Sequence, residues 1–129
     1  MIHTLAIIGQ IIFGAYWLYN GIKHFKSLNG MTGYAMSKGV PYPKASVIVG
    51  GVLLIIGGLG IILGFYPRIA ILALIIFILP VTFLMHNFWA IKDSETKMRE
   101  EIAFYKNMAL FGALLILWGA KFHYSILGM

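Results

Sequence analysis

The chain has 129 residues, 60% of them hydrophobic and only 11% charged, with a formal charge of +6 and no cysteine. An ordinary globular domain is about a quarter charged, so this composition excludes a soluble domain and points to a membrane protein. It also excludes a disulfide framework and a thiolate metal site. Its lysines and arginines fall in loops beside apolar segments, where anionic lipid headgroups and membrane topology explain the charge and nucleic acid does not.

Crossing roughly 30 Å of hydrocarbon takes about 20 helical residues. Four such stretches fill the sequence. The expected fold is therefore all-α, a four-transmembrane-helix bundle with a Gly/Pro-rich loop between helices 1 and 2, forming a single transmembrane domain over residues 1–129.

The first helix is expected over about residues 4–22, with Gln10 inside it and Asn20 near its end. It has no basic leader and no small-residue cleavage site, so it reads as a retained helix and not a signal peptide. Ser27 to Lys44 follows, broken by Gly30, Gly33, Gly39, Pro41 and Pro43, and reads as a re-entrant or interfacial loop with one short helical turn around Tyr34 to Ser37. The second helix, about 45–65, is rich in glycine. Gly50, Gly57 and Gly64 are seven apart, as are Gly51 and Gly58, which makes a groove where a neighbouring helix can approach closely.

Tyr66 and Pro67 form a minimal turn into the third helix, about 68–89, which Pro80 interrupts. The segment from Lys92 to Glu101 holds all four acidic residues, Asp93, Glu95, Glu100 and Glu101, and reads as a loop. Glu100 or Glu101 is expected to open the fourth helix, about 100–120, where an acid suits the positive end of the helix dipole. His123 and Tyr124 fall in a tail that either frays from that helix or lies at the interface.

Alternating passes bring the end of helix 1, both long loops, the end of helix 3 and the start of helix 4 to one membrane face. Asn20, Lys23, His24, Tyr42, His86, Asn87, Trp89, Lys106 and Asn107 collect there. Arg68 and His86 are eighteen residues apart, roughly 27 Å of helix, so His86 belongs near the hydrocarbon boundary, with Asn107 at similar depth. Unpaired polar groups in lipid are costly, so these side chains should face inward and bond. Two readings are open at this point: a network that closes the bundle, or a polar pocket for a headgroup, a quinone ring or a partner's side chain. The histidines lack the spacing of a preformed metal or haem site, so neither is expected, and no covalently bound cofactor is. The chain has no nucleophile elbow, P-loop or dinucleotide fingerprint either.

Several pieces taken in order resemble the DoxX family of small four-helix membrane proteins. They are NGIKHF at Asn20 to Phe25, GYAMSKGVPYP at Gly33 to Pro43, LGFYPR at Leu63 to Arg68, HNFW at His86 to Trp89 and KNMALFGALL at Lys106 to Leu115. The resemblance implies a four-helix bundle whose motif residues share one face. It also implies relatives that serve as membrane subunits of quinone-linked or sulfur-linked oxidoreductases, with more distant ones acting as cargo receptors or assembly chaperones. Many DoxX-like chains carry an acid in helix 2, whereas here that helix is apolar and glycine apart from Ser46.

The expected function is a membrane subunit of a respiratory or sulfur-linked redox complex with a quinone or lipid pocket lined by Asn20, Lys23, His24, Tyr42, His86, Trp89 and Asn107. Its partners would be membrane lipids and other subunits of that complex. The alternative is a non-catalytic assembly, scaffolding or chaperone protein. Eight of the ten basic residues fall on the polar face, which by the positive-inside rule places both long loops in the cytoplasm and both termini outside.

Overall fold

Five helices and one 3-10 turn account for nearly all of residues 2–120, the part of the chain that the computed structural model describes. The tail with His123 and Tyr124 lies outside the described residues. Helix α1 runs Ile2–Lys26, α2 Leu28–Ser37, α3 Pro43–Leu63, α4 Pro67–Met85 and α5 Ser94–Gly119. All but α2 are long and apolar enough to cross a membrane. The four spans stand as the sequence implies, and the chain is an all-α, multi-pass membrane protein.

Three boundaries depart from expectation for local reasons. First, α1 continues one turn further than Ile22, and Ser27 N–H still reaches Lys23 O at 2.8 Å. The expected loop after it is largely helix. Gly30 and Gly33 are tolerated inside α2, and the helix stops where Gly39 takes φ 73°. There Val40 N–H bonds Ala35 O and Gly39 N–H bonds Met36 O, both at 3.1 Å, so the orphan carbonyls of the last turn are satisfied.

Second, α4 ends at Met85, short of Trp89. His86 and Asn87 are irregular, and Phe88–Ala90 is a single 3-10 turn. Third, α5 starts six residues before Glu100. Asp93 caps it, accepting from Thr96 N–H at 2.9 Å and from the Thr96 hydroxyl at 2.6 Å. Those two donors hold the exposed Asp93 carboxyl below its usual range. Most of the mixed-charge segment is therefore the first turns of α5, which turns Glu100 from a terminal residue into an interior one.

Both spanning helices that begin with proline start alike. Tyr42 and Tyr66 sit at φ 46° and 44°, and Pro43 and Pro67 take the first helical positions, where the missing N–H costs nothing. At the other end of α3, Gly64 at φ 67° closes the helix through Phe65 N–H to Gly60 O at 3.0 Å.

Glycine decides how the spans pack, and α3 is the centre. Its Gly51 and Gly58 face α1, Gly57 and Gly60 face α4, and Gly50 lies between His24 of α1 and Phe77 of α4. Helix α1 reciprocates with Gly14 and Gly21. A Cβ at Gly14 would stand 2.8 Å from Gly58 O, and one at Gly58 would stand 2.9 Å from Gly14 O. The groove read from the sequence is thus two seams within one chain. Above and between them Trp17, Leu54, Ile61, Ile71, Leu74, Ile78 and Leu114 form the core. With lipid on the outside there is little hydrophobic drive between helices, so close backbone approach and dispersion hold these seams.

Candidate functional site

The polar face is built where α2, packed against α3, reaches with its side chains toward α5 and the segment that follows α4. On α5, Glu100, Asn107 and Leu114 are spaced by seven and share the inward side; Asn107 is 7% exposed and Leu114 is fully buried. Starting the helix at Ser94 puts Glu100 on that stripe. Its Oε2 meets His86 Nδ1 at 2.7 Å and its Oε1 accepts the Tyr34 hydroxyl at 2.7 Å. The His86 and Glu100 side chains are 22% and 15% exposed, so water screens the pair only in part.

Helix α2 supplies a second tie one turn further on. Lys38 Nζ donates to Asn87 Oδ1 at 3.0 Å, and its charge lies 5.7 Å from the Tyr34 ring centroid. Tyr34, Lys38, His86, Asn87 and Glu100 therefore form one network that joins three elements. Burial first, and then the bond to the Glu100 carboxylate, push the Tyr34 phenol up to about 12. The phenol is a hydrogen-bond donor held neutral, and the carboxylate is the acceptor.

An aromatic cluster adjoins the pair. Phe88 packs edge-on to Trp89 at 5.3 Å and to Phe104 at 5.4 Å, and Phe104 also meets Phe83 at 5.5 Å. Phe104 is one turn beyond Glu100, and Phe88 N–H bonds His86 O at 2.9 Å. Trp89 and Phe83 expose half of their surface outward.

The residues singled out by sequence separate into several places. His86 and Trp89 are at the network and its aromatic edge. His24 is elsewhere: its Nδ1 is 2.9 Å from Val47 O, and its ring packs edge-on to Phe77. Phe77 is nine residues before His86, roughly 13 Å along α4, so the two histidines occupy separate sites. Asn20 returns its side-chain amide to Tyr16 O on its own helix at 2.7 Å, and Lys23 lies over the Tyr19 ring at 5.7 Å. Tyr42 is 84% exposed. Asn107 is two turns deeper than Glu100, roughly 10 Å along α5, and not at the His86 level. Glu100, Tyr34 and Lys38 were not among the expected site residues, because the first turns of α5 read as loop and so did α2 apart from one short turn around Tyr34 to Ser37. The seven-residue spacing of Glu100, Asn107 and Leu114 was the signal available for Glu100.

Among the described residues no three His, Asp or Glu gather within metal-binding reach. The chemistry on offer is a histidine oriented by a carboxylate, with its other nitrogen, Nε2, unbonded among the described residues. Such a dyad accepts or donates one hydrogen at the membrane border.

No solved structure matches this chain. It is 26% identical over 114 residues to the "Inner membrane protein YphA" of Escherichia coli (strain K12), an alignment covering 88% of this chain and 81% of that protein. The sequence model of DoxX matches residues 5–87, from α1 to the end of α4, and the chain therefore belongs to the DoxX family.

Proposed function

We propose that this chain is a membrane subunit of a respiratory or sulfur-linked redox complex, and that its polar end offers a site for a quinone ring or a lipid headgroup. The observation that carries this reading is the His86–Glu100 pair, a titratable dyad held at the membrane border beside the aromatic edge of Phe83, Phe88 and Trp89. Ionisable side chains in spanning helices are costly and mark functional sites more often than packing sites. A ring that is apolar on its faces and polar at its oxygens suits a site with those two halves. The lysine and arginine bias supports placing this end in the cytoplasm and both termini outside.

The test is purification of the native assembly in mild detergent, with identification of co-purifying subunits and extractable quinone. Loss of quinone turnover in His86→Ala, in an assembly that remains intact, is the expected result. A lone protein with neither quinone nor an oxidoreductase partner would sink the proposal.

A second reading, a non-catalytic assembly or scaffolding protein, is favoured by the closure of the network on itself. Both Glu100 oxygens are used within the chain. In that case His86→Ala leaves quinone turnover unchanged per assembled complex but lowers the amount assembled.

A further inference from the structure

Helix α5 is the least buried of the four spans and packs chiefly on α4, so one side of it is left to its surroundings. That side carries Met98, Ile102, Tyr105, Ala109, Gly112 and Ile116, spaced alternately by four and three. Such spacing makes a coiled-coil seam, here roughly 27 Å long. Glu100, Asn107 and Leu114 stand on the opposite side, toward the chain's own core. A Cβ at Gly112 meets nothing within 4 Å, so the middle of the seam is open to the close approach of another helix.

Any lipid-facing helix shows an apolar stripe, and two observations separate this one. First, it begins outside the hydrocarbon: Met98 lies on the watery side of Glu100 and is 58% exposed, where acyl chains do not reach it. Second, its flanks carry opposite charges in register. With Ile102 and Ala109 as a positions and Met98, Tyr105 and Gly112 as d positions, Glu101 takes g and Lys106 takes e. In two parallel helices each g position faces the following e position of the other, which brings Glu101 of each copy to Lys106 of the second. Lys106 is six residues past Glu100, roughly 9 Å into the membrane, exposed and with no ion pair among the described residues. A charge at that depth is costly without a partner. Its side chain leans toward the helix N-terminus, which is the polar end, and so toward Glu101 of the second copy.

We infer that the chain forms a homodimer through α5, with the two α5 helices parallel because both copies insert in the same orientation. Helix α1 exposes a comparable stripe at Leu5, Ile8, Ile12 and Tyr19, but it ends on Lys23 and Lys26 and holds no acid, so two copies meeting there would repel.

The test reconstitutes the full chain in liposomes at stepped protein-to-lipid ratios and reads pairing by energy transfer between labelled copies. Glu101→Lys alone and Lys106→Glu alone should each weaken pairing about tenfold, because each turns two attractive contacts repulsive. An equimolar mixture of the two variants should pair as tightly as the wild type, since their charges then complement one another, and that recovery shows both to be folded. The natural chain has no cysteine, so oxidative cross-linking of single cysteines maps the seam: Ala109→Cys and Gly112→Cys should link, Leu114→Cys should not. A wild type that stays monomeric at the highest protein density overturns the proposal. So does pairing that survives either charge reversal, or cross-linking at Ile12→Cys in place of Gly112→Cys.

Discussion

Replacing Gly58 by alanine tests the central seam most directly, because backbone and not a movable side chain occupies the space. A Cβ there would stand 2.6 Å from Leu18 N, and 2.9 Å from both Gly14 O and Leu18 Cα. Ordinary carbon contacts are about 3.5–4.0 Å, so α1 and α3 must part by roughly 1 Å. A gap of that size forfeits about a quarter to a half of each dispersion well along the seam. Overpacking of this kind costs about 1–3 kcal/mol, against a helix-propensity gain of about 1 kcal/mol for leaving glycine. The net expectation is a loss of up to about 2 kcal/mol.

Gly112→Ala is the control. It sits in α5 with nothing within 4 Å of the added carbon, and should be neutral or more stable by up to about 1 kcal/mol. Gly57→Ala should also be less stable than Gly112→Ala, since the carbon meets Cγ and Cδ2 of Leu74, which is fully buried in the core, and stands 3.1 Å from Ala70 O. The assay is reversible unfolding in mixed detergent micelles followed by helical circular dichroism. Equal midpoints for Gly58→Ala and Gly112→Ala would refute the argument that α1 and α3 meet through glycine.

The polar network makes further demands. A double-mutant cycle on His86 and Glu100 should return a coupling of about 1–3 kcal/mol, and one on His86 and Asn107 a much smaller value, because Asn107 is two turns away; the reverse ranking would remove Glu100 as the partner. Because the folded Tyr34 phenol ionises near 12 and the unfolded one near 10, the neutral phenol's contribution is complete below pH 10 and is lost as pH rises toward 12. The phenolate absorbance of the wild type minus that of Tyr34→Phe should show this late step, and Glu100→Gln should move it to lower pH. For orientation, a cysteine at Ser37 should resist an impermeant reagent in intact cells and one at Phe65 should react; the opposite pattern would turn the polar end outward.

Composition and periodicity determined much of this protein. Runs of apolar residues the length of a bilayer dictate four spans wherever they occur, and the seven-residue spacing of Gly51 with Gly58 marked a close-packed face before any neighbour was known. The gathering of His86, Asn87 and Trp89 at one end followed from counting passes. These are local or additive properties, and they survive whatever the helices do to one another.

Tertiary structure decided which polar residues meet. Tyr34 and Glu100 are 66 residues apart, and Lys38 and Asn87 are 49 apart. Neither pairing has a sequence period to announce it. Helix α2 was hidden by its glycines, which disfavour a helix locally, yet it persists with Ala35 buried and with Tyr34 and the capping residue Lys38 bonded across the bundle. Glu100 was hidden by the charged segment around it, which resembles a solvated loop until Asp93 caps the helix early and its phase turns that one acid inward. Helical phase and inter-helix distance exist only once the spans have packed, and a hydrogen bond made or missed over a few tenths of an ångström depends on both.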